Sequence, residues 1–375
     1  MDLPPYQLIT TPAEWQTCLQ TLQAASQLAI DLEANSMFAY QEQVCLIQIS
    51  TRNHDYIIDP TAPLDLSDLG SIVADANVEK VLHAAEYDLI LLKRQYEWQL
   101  HNLFDTMWAA RILGYTQYGL ANLLHKLYGV KLNKRYQKSD WCKRPLSPAQ
   151  LTYAQYDTRF LLQLRDDLYT QLQQAGRLAE AQETFAQQTV VKQNNHDFDP
   201  DSFWSFTGVY ELSPGQQAIL KALNVYRNEE AKRRNQPHFK VFGERTLVEL
   251  AKRAPHSLAD MEQVYGMTAG QVQRYGRTLL AIIQQNRRAP APPPPKRHKR
   301  RPDAVLNRYE KLHTWRKQRA QQRGVESDVI ISREALWAIA QVGPKTMDDL
   351  ATIEELGTWR GQTYGAEILN LLRKR

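Results

Sequence analysis

Two acidic residues close the first buried strand that the sequence predicts. Leu28, Ala29 and Ile30 form an apolar run, and Asp31 and Glu33 follow it two residues apart. Side chains at positions i and i+2 of a strand point to the same face, so the two carboxylates lie side by side. Two like charges this close repel unless they share a proton or a cation. The pair alone is equally consistent with two solvated acids at an exposed strand end.

Two later acids are candidates to join the pair. Asp88 falls in the first turn of a helix predicted over residues 86–96. Asp157 follows Tyr153 by four residues on another predicted helix, so the two side chains share a face. In isolation, Asp88 is an ordinary favourable placement at a helix N-terminus, and Tyr153 is a core-edge tyrosine beside an exposed acid. The combination of all these residues is more specific than any one of them.

Four carboxylates and a tyrosine indicate hydrolysis at phosphorus. Carboxylate oxygens suit Mg²⁺ or Mn²⁺ rather than zinc, and four of them can hold two ions in the geometry used for in-line displacement. One ion would make hydroxide from a bound water and the other would neutralise the leaving oxygen, while a tyrosine hydroxyl would orient the attacking water. We therefore expect two divalent cations at a catalytic site formed by Asp31, Glu33, Asp88, Asp157 and Tyr153.

The elements that must position these residues are α/β in pattern. A capping box with a proline at the first helical position, residues 11–14, predicts a helix that continues to about residue 25. Two β-rich runs, residues 44–50 and 55–59, flank a short polar turn and predict a hairpin. A further strand is expected at residues 80–84. A second capping box at Ser147 predicts one long helix that carries Tyr153 and Asp157 and extends to Leu168.

The charge distribution and the cysteine content indicate the kind of partner and the cellular location. Residues 1–201 contain 16 Lys and Arg against 24 Asp and Glu, a net charge of −8, and residues 202–375 contain 30 against 17, a net charge of +13. This division suggests chemistry in the first part and polyanion capture in the second. The scattered Cys18, Cys45 and Cys142 predict neither a disulfide framework nor a zinc site. With neither a signal peptide nor an apolar run of membrane-spanning length, the expected location is the cytoplasm.

The second part contains an internal repeat with an offset of 89 residues. Tyr226-Arg227 aligns with Trp315-Arg316, and Tyr275-Gly276 aligns with Tyr364-Gly365, without a gap. The matches recur at helix-like spacing and predict two copies of one small helical domain. Between them, residues 289–302 read APAPPPPKRHKRRP, a proline-rich spacer followed by a basic run. We favour a nucleic-acid contact over a solvated linker for residues 296–301.

The acidic motifs resemble those of the DEDD 3′–5′ exonucleases, in the branch whose third motif is Tyr-x-x-x-Asp. The first motif matches Asp31-Leu32-Glu33, the second matches residues 83–88, and the third matches residues 153–157. Residues 44–49 and the segments QKSDW (137–141) and RPL (144–146) further resemble the bacterial ribonuclease D family. Both C-terminal repeats resemble HRDC domains, which that family shares with RecQ-type helicases.

The resemblance implies the architecture and the activity. We expect an RNase H-like α/β exonuclease domain, a mixed sheet flanked by helices, at residues 1–190. Two all-α HRDC bundles at 208–288 and 303–375 would follow, joined by the linker at 289–302. The implied function is metal-dependent 3′–5′ exoribonuclease activity that releases 5′-monophosphates, trims the 3′ ends of tRNA precursors and other structured RNAs, and involves no membrane. The alternatives are a DNA 3′–5′ exonuclease and a non-catalytic RNA-binding or helicase-partner protein.

Other residues carry weaker expectations. Basic faces of the repeats, residues 232–234 and 316–319, are expected to hold the RNA body. His83 is either near the site or a neutral packed histidine at a strand end. Phe38 and Tyr40 either stack on terminal bases or pack on the sheet. A monomer is expected because each domain is expected to bury its own apolar face.

Overall fold

The computed structural model describes residues 3–191, 197–295 and 300–373. Residues 296–299 of the basic linker lie outside these ranges, so the phosphate contact expected there stays a prediction. None of the helices in the described ranges combines the length and the apolar character that crossing a membrane requires.

The first part of the chain forms a mixed β-sheet. Its strands are β1 (Tyr6–Ile9), β2 (Gln27–Ala34), β3 (Val44–Ser50), β4 (Asp55–Ile58), β5 (Glu79–Leu82) and β6 (Leu103–Asp105). Within the described residues the sheet has six strands, in the order β1-β4-β3-β2-β5-β6. β3 pairs antiparallel with β2 and β4, and the other neighbouring pairs are parallel. The predicted fold class and the predicted β3–β4 hairpin are confirmed.

Helices flank this sheet and build the C-terminal repeats. Those of the first part are α1 (Pro12–Gln23), α2 (Ser67–Ala74), α3 (Glu86–Tyr96), α4 (Thr106–Ile112), α5 (Leu120–Tyr128), α6 (Pro148–Arg159), α7 (Leu161–Gln174) and α8 (Leu178–Gln188). The repeats contain α9 (Pro214–Arg233), α10 (His238–Val241), α11 (Glu244–Arg253), α12 (Leu258–Glu262), α13 (Ala269–Asn286), α14 (Asp303–Arg323), α15 (Ser327–Ile330), α16 (Arg333–Val342), α17 (Met347–Ala351) and α18 (Thr358–Arg373). Short 3₁₀ turns occur at Lys134–Tyr136, Pro200–Ser205 and Val209–Glu211.

The sheet lies inside the main core. Every residue of β3 and β4 is buried. Leu32, between the two acids of β2, packs into the apolar core together with Ile30. Leu32 therefore points away from the face that carries Asp31 and Glu33.

The long helix predicted from Ser147 is two helices. The capping box begins α6 as expected, because the Ser147 hydroxyl accepts from the Gln150 amide. At Phe160 the backbone leaves the helix, with φ −98° and ψ −2°, and its amide bonds back to Thr158 instead of continuing the helical pattern. The Phe160 ring stacks on Tyr156 at that bend. Helical periodicity continues through the break, which is why the sequence pattern did not reveal it.

The expectation that the cysteines form no disulfide is wrong. Cys45 on β3 is bonded to Cys142, with the two Cα atoms 4.9 Å apart, and Cys18 remains free and buried. The bonded cysteines are 97 residues apart in sequence. Only the folded chain, which brings the segment before α6 against β3, places them together. The cysteines therefore give no support to a reducing compartment.

The two helical repeats share internal contacts at the predicted offset. Buried Arg227 donates to the carbonyl of Phe242, and buried Arg316, 89 residues later, donates to the carbonyl of Ile331, also 89 residues later. Because Arg316 is buried, the expectation that it contacts RNA is wrong. The charge serves to hold one helix against the backbone of the next segment.

The chain divides into two compact units, one formed by Met1–Ala34, Val44–Gln193 and Arg300–Arg375 and the other by Asn35–Gln43 and Asn194–Lys299. In the second unit the segment after β2 packs on the first repeat. The Tyr40 hydroxyl donates to Asn228 Oδ1 at 2.7 Å, and the Phe38 ring lies under the Lys240 ammonium at 4.2 Å. These contacts differ from the sheet packing considered for Phe38 and Tyr40.

In the first unit, the second repeat is joined to the α/β part of the chain by buried ion pairs. Arg323 of α14 binds Glu180 of α8, and Arg360 of α18 binds Glu183 of α8 at 3.0 Å. Arg360 also donates to the Thr184 hydroxyl at 3.0 Å. The second repeat also has a buried apolar cluster of its own, which includes Leu312, Leu336 and Ile368, so the expected monomer stays a prediction.

Candidate active site

β2 and β3 present one polar face of the sheet. Asp31 lies opposite Gln48 and Glu33 lies opposite Leu46 in the antiparallel register. Cross-strand partners point to the same face, so the Gln48 amide lies on the side of the two acids. The regular alternation of β2 turns its apolar side chains into the core and its carboxylates towards α6.

α6 brings the third motif over this face. The hydroxyls of Ser50 on β3 and Thr158 on α6 share a buried hydrogen bond of 2.8 Å. Gln155 of α6 donates to Asp55 of β4 at 2.7 Å and to the carbonyl of Pro4 at 2.8 Å. These contacts fix the rotation of α6 about its axis.

Three of the four predicted acids come together in one group. Ligand oxygens of Asp31, Glu33 and Asp157 all lie within 4.8 Å of one another, and each of these residues is half-buried. Asp88 is not a member of that group, although it is buried, with 6% of its surface exposed. Its charge nevertheless interacts with those of Asp31 and Asp157.

The protonation behaviour of the cluster reflects this crowding. Burial raises the pKa of Asp31 to about 7. Burial and the charges of Asp31, Asp157 and Asp88 raise the pKa of Glu33 to about 10. Burial, and then the charge of Asp31, also raise the pKa values of Asp88 and Asp157 well above the usual aspartate range. The four carboxylates therefore need either protons or cations to coexist.

The residues fit divalent cations. All four acids offer hard oxygen donors, the type that Mg²⁺ and Mn²⁺ prefer. Gln48 is fully buried beside Asp31, and among the described residues neither its amide nitrogen nor its amide oxygen has a hydrogen-bond partner. An orphaned buried amide next to acids matches the hydrogen bonding of a hydrated metal site.

Tyr153 lies at the edge of this cluster. Its hydroxyl donates a hydrogen bond to Asp157, and burial together with the charges of Asp157, Glu33 and Asp31 raises its pKa. The phenol therefore stays protonated at neutral pH and keeps a proton to donate. The Trp141 ring lies 5.8 Å from the Tyr153 ring, centroid to centroid.

The segment before α6 holds Trp141 in place. Arg144 donates to both carboxylate oxygens of Asp59, at 2.5 and 2.7 Å, and to the carbonyls of Trp141 and Cys45 at 2.6 and 2.7 Å. The disulfide between Cys45 and Cys142 joins the same segment to β3. Segments 137–141 and 144–146, which carried part of the family resemblance, therefore hold Trp141 against Tyr153.

His83 is a packed histidine. Its Nδ1 lies 2.9 Å from the Thr106 hydroxyl, and burial lowers its pKa to about 4. It is neutral at physiological pH, as one of the two interpretations expected.

Sequence reasoning missed Gln48 and Asp105. Gln48 belongs to the motif at residues 44–49, but nothing in the sequence indicates that this strand glutamine is buried beside Asp31. Asp105 is a residue type typical of helix N-caps, and in the structure it caps α4 by accepting from the amides of Met107 and Trp108. Its contacts with a different helix were not readable from the sequence.

Comparison with known proteins now identifies the family. Residues 6–173 match the 3′–5′ exonuclease domain family, and residues 216–283 and 305–372 match the HRDC domain. A ribonuclease D from Gluconacetobacter diazotrophicus is 30% identical over 267 residues, which cover 70% of this chain and 67% of the relative. The chain belongs to the ribonuclease D family.

Other ribonuclease D proteins extend the similarity over nearly the whole chain. The protein from Acidiphilium cryptum is 29% identical over 370 residues, covering 97% of this chain and 92% of the relative. The crystal structure of Escherichia coli RNase D shares the fold over 99% of both chains, with a TM-score of 0.70 at 24% identity. As a member of the ribonuclease D family that contains the 3′–5′ exonuclease domain, the chain is a 3′–5′ exoribonuclease.

Proposed function

We propose that this chain trims the 3′ ends of tRNA precursors by two-metal-ion hydrolysis, with Asp31, Glu33, Asp88 and Asp157 as the metal ligands. The observation that carries this proposal is the group of three carboxylates within 4.8 Å, electrostatically coupled to Asp88. Divalent cations bound there would lower the pKa of the attacking water and neutralise charge on the leaving oxygen.

The protein's own groups orient the reactants. Tyr153 keeps its proton and donates hydrogen bonds, so it orients the attacking water from beside Asp157. Trp141 packs against its ring and limits its movement. Neutral His83 is hydrogen-bonded to Thr106 and takes no part in proton transfer in this scheme.

The repeats supply cationic side chains for the RNA body in this proposal. Arg233 pairs with Glu230 but keeps 63% of its side chain exposed, and Lys232 and Lys317 are exposed. Replacing Lys232 and Arg233 by Ala should raise KM with little change in kcat and reduce the salt dependence of RNA binding. A salt dependence equal to that of the wild type would place the RNA on another surface.

The test of function is release of 5′-monophosphates from a 3′-extended tRNA and from a matched DNA, with Mg²⁺ or with EDTA. We expect stepwise RNA shortening that requires Mg²⁺ and falls at least about 1000-fold in Asp157→Asn, since a ligand and a support of Tyr153 are both changed. Glu86→Gln is the matched control, because Glu86 is an exposed acid on α3 two residues from Asp88. RNA binding without shortening in the wild type would contradict the proposal. Shortening of the matched DNA faster than the RNA would instead indicate a DNA 3′–5′ exonuclease.

The proposal also includes a monomer that acts in the cytoplasm. Light scattering on the purified chain and fractionation of cells that produce it test these two statements. A stable dimer, or recovery outside the cytoplasm, would overturn them.

A further inference from the structure

Asp105 is a buried acid outside the predicted catalytic set. It ends β6 and is fully buried, with no exposed surface. Its carboxylate accepts from the backbone amides of Met107 at 2.9 Å and Trp108 at 3.1 Å, which caps α4. A capping role accounts for only part of its hydrogen bonding, because one oxygen is also turned towards α3.

The same carboxylate holds the turn that leads into α3. The amide of Ala84 donates to Oδ1 at 3.2 Å and the amide of Ala85 donates to Oδ2 at 2.9 Å. Ala85 is the N-cap residue of α3 and provides no side-chain cap, and Ala84 has a φ of +62°, which a residue with a Cβ rarely adopts. Asp105 therefore accepts, from a neighbouring strand, from the two backbone amides that lead into α3, one of which, that of Ala85, is among the helix-start donors that the helix itself leaves unpaired.

This turn determines where Asp88 lies. Asp88 is three residues after Ala85, in the first turn of α3, so the direction of α3 at its start sets the position of the carboxylate. Ala85 itself supplies no side-chain cap to this helix start. A change at Asp105 is therefore expected to move Asp88 before it moves the other acids, which lie on β2 and α6.

A third contact ties Asp105 to α8. The side-chain amide of Gln188, the last residue of α8, donates to Asp105 Oδ2 at 3.1 Å. The same helix binds the second HRDC repeat through Glu180 and Glu183. A continuous set of contacts thus runs from the second repeat through α8 and Asp105 to the start of α3.

We propose that Asp105 is a positioning residue for Asp88, and that Gln188 extends this support to α8 and the second HRDC repeat. The inference rests on the proposed role of Asp88 as a metal ligand. It gives the second repeat a part in shaping the active site, through α8, that does not depend on contact with RNA.

The test is Asp105→Asn, measured for kcat, KM and binding of Mn²⁺ alone by electron paramagnetic resonance. Asparagine keeps one side-chain oxygen, which can still cap α4. Its NH₂ group replaces the oxygen that accepts from the Ala85 amide, so two donors face each other there. We expect kcat to fall about 10- to 100-fold and Mn²⁺ affinity to fall about 10-fold, with KM for the RNA within twofold of the wild-type value. Asp260→Asn, in the capping box of α12, is the matched control and should change none of the three.

Gln188→Met keeps the test decisive if Asp105→Asn does not fold. This variant removes the donor at nearly constant volume, and we expect kcat to fall about three- to tenfold with unchanged KM. Wild-type kcat and Mn²⁺ affinity in Asp105→Asn, or in Gln188→Met when the first variant is unfolded, would overturn the inference. Failure of the wild type to shorten RNA with Mg²⁺ would instead overturn the proposed function, so the two failures are distinguishable.

Discussion

The guanidinium of Arg323 donates two hydrogen bonds, of 2.6 and 2.7 Å, to the carboxylate of Glu180, which is fully buried. Arg323 ends α14 of the second HRDC repeat, and Glu180 belongs to α8 of the nuclease part. A charge-assisted pair with two parallel bonds fixes both distance and orientation. The second repeat is therefore a structural part of the nuclease body.

Replacing Arg323 by Met should destabilise the protein by about 3–5 kcal/mol, because it leaves the buried Glu180 carboxylate without its closest cation. Arg177, at 3.6 Å from Glu180, compensates only in part. Arg253→Met is the control, since its pair with Glu249 lies in solvent and should contribute at most ~1 kcal/mol. Denaturant unfolding of both variants measures the difference. Equal stabilities would contradict the buried pair.

Binding of Mn²⁺ should release protons and become tighter as pH rises. The folded, metal-free protein holds protons on carboxyls whose pKa is raised, to about 7 for Asp31 and to about 10 for Glu33. A cation must displace them. Calorimetry in two buffers with different ionisation enthalpies measures the number released at pH 7. Zero proton release, or affinity independent of pH between 6 and 8, would contradict the raised pKa values.

The same shifts set the pH dependence of metal-free stability. A folded-state pKa above the unfolded value stabilises the protein below the unfolded pKa, and that stability is lost as pH rises through the folded value. For Asp31 the window runs from the ordinary aspartate pKa of 3.8 to about 7. The melting temperature in EDTA should therefore fall across this window, and Mn²⁺ should restore it. If the melting temperature of Asp31→Asn in EDTA fell as steeply with pH as that of the wild type, Asp31 would not be the origin of the pH dependence.

The Cys45–Cys142 bond should be visible by thiol counting. The unfolded, unreduced chain should show one reactive thiol, that of Cys18, and three after reduction. Cys142→Ser should lose roughly 2–4 kcal/mol of stability and part of kcat, because the segment carrying Trp141 behind Tyr153 is no longer joined to β3. Three thiols before reduction would contradict the bond.

Ala84→Gly should stabilise the protein by about 0.5–1 kcal/mol. The left-handed φ of +62° strains a residue with a Cβ, and glycine removes that strain at some cost in chain entropy. Ala85→Gly is the control in the same turn, where φ is −58° and glycine should destabilise. Thermal unfolding separates the two variants. A loss of stability in both would show that Ala84 is not strained.

The parts of the fold that depend on local sequence were predictable. Alternation on β2 placed Asp31 and Glu33 on one face, and the capping box at Ser147 placed the start of the helix that carries Tyr153 and Asp157. Each signal lies within a few residues of the feature that it specifies. Turn, capping and periodicity rules operate at that range.

The features that sequence reasoning missed depend on contacts between distant residues. Cys142 meets Cys45 across 97 residues, and Arg323 meets Glu180 across 143. Arg316 looks like a surface charge in the sequence, yet its guanidinium satisfies a buried carbonyl. A basic residue in a basic segment gives no local sign of which role it takes. Only tertiary packing decides this.

The most direct test of the central claim is anomalous diffraction from crystals soaked in Mn²⁺ with a short RNA whose terminal linkage resists hydrolysis. The account predicts two Mn²⁺ peaks about 4 Å apart, one contacting the group of Asp31, Glu33 and Asp157 and the pair together contacting Asp88. Crystals of Asp88→Asn should lose at least one peak, whereas Glu86→Gln should keep both. Peaks at other residues, or none under conditions in which the enzyme shortens RNA, would contradict the four-acid site.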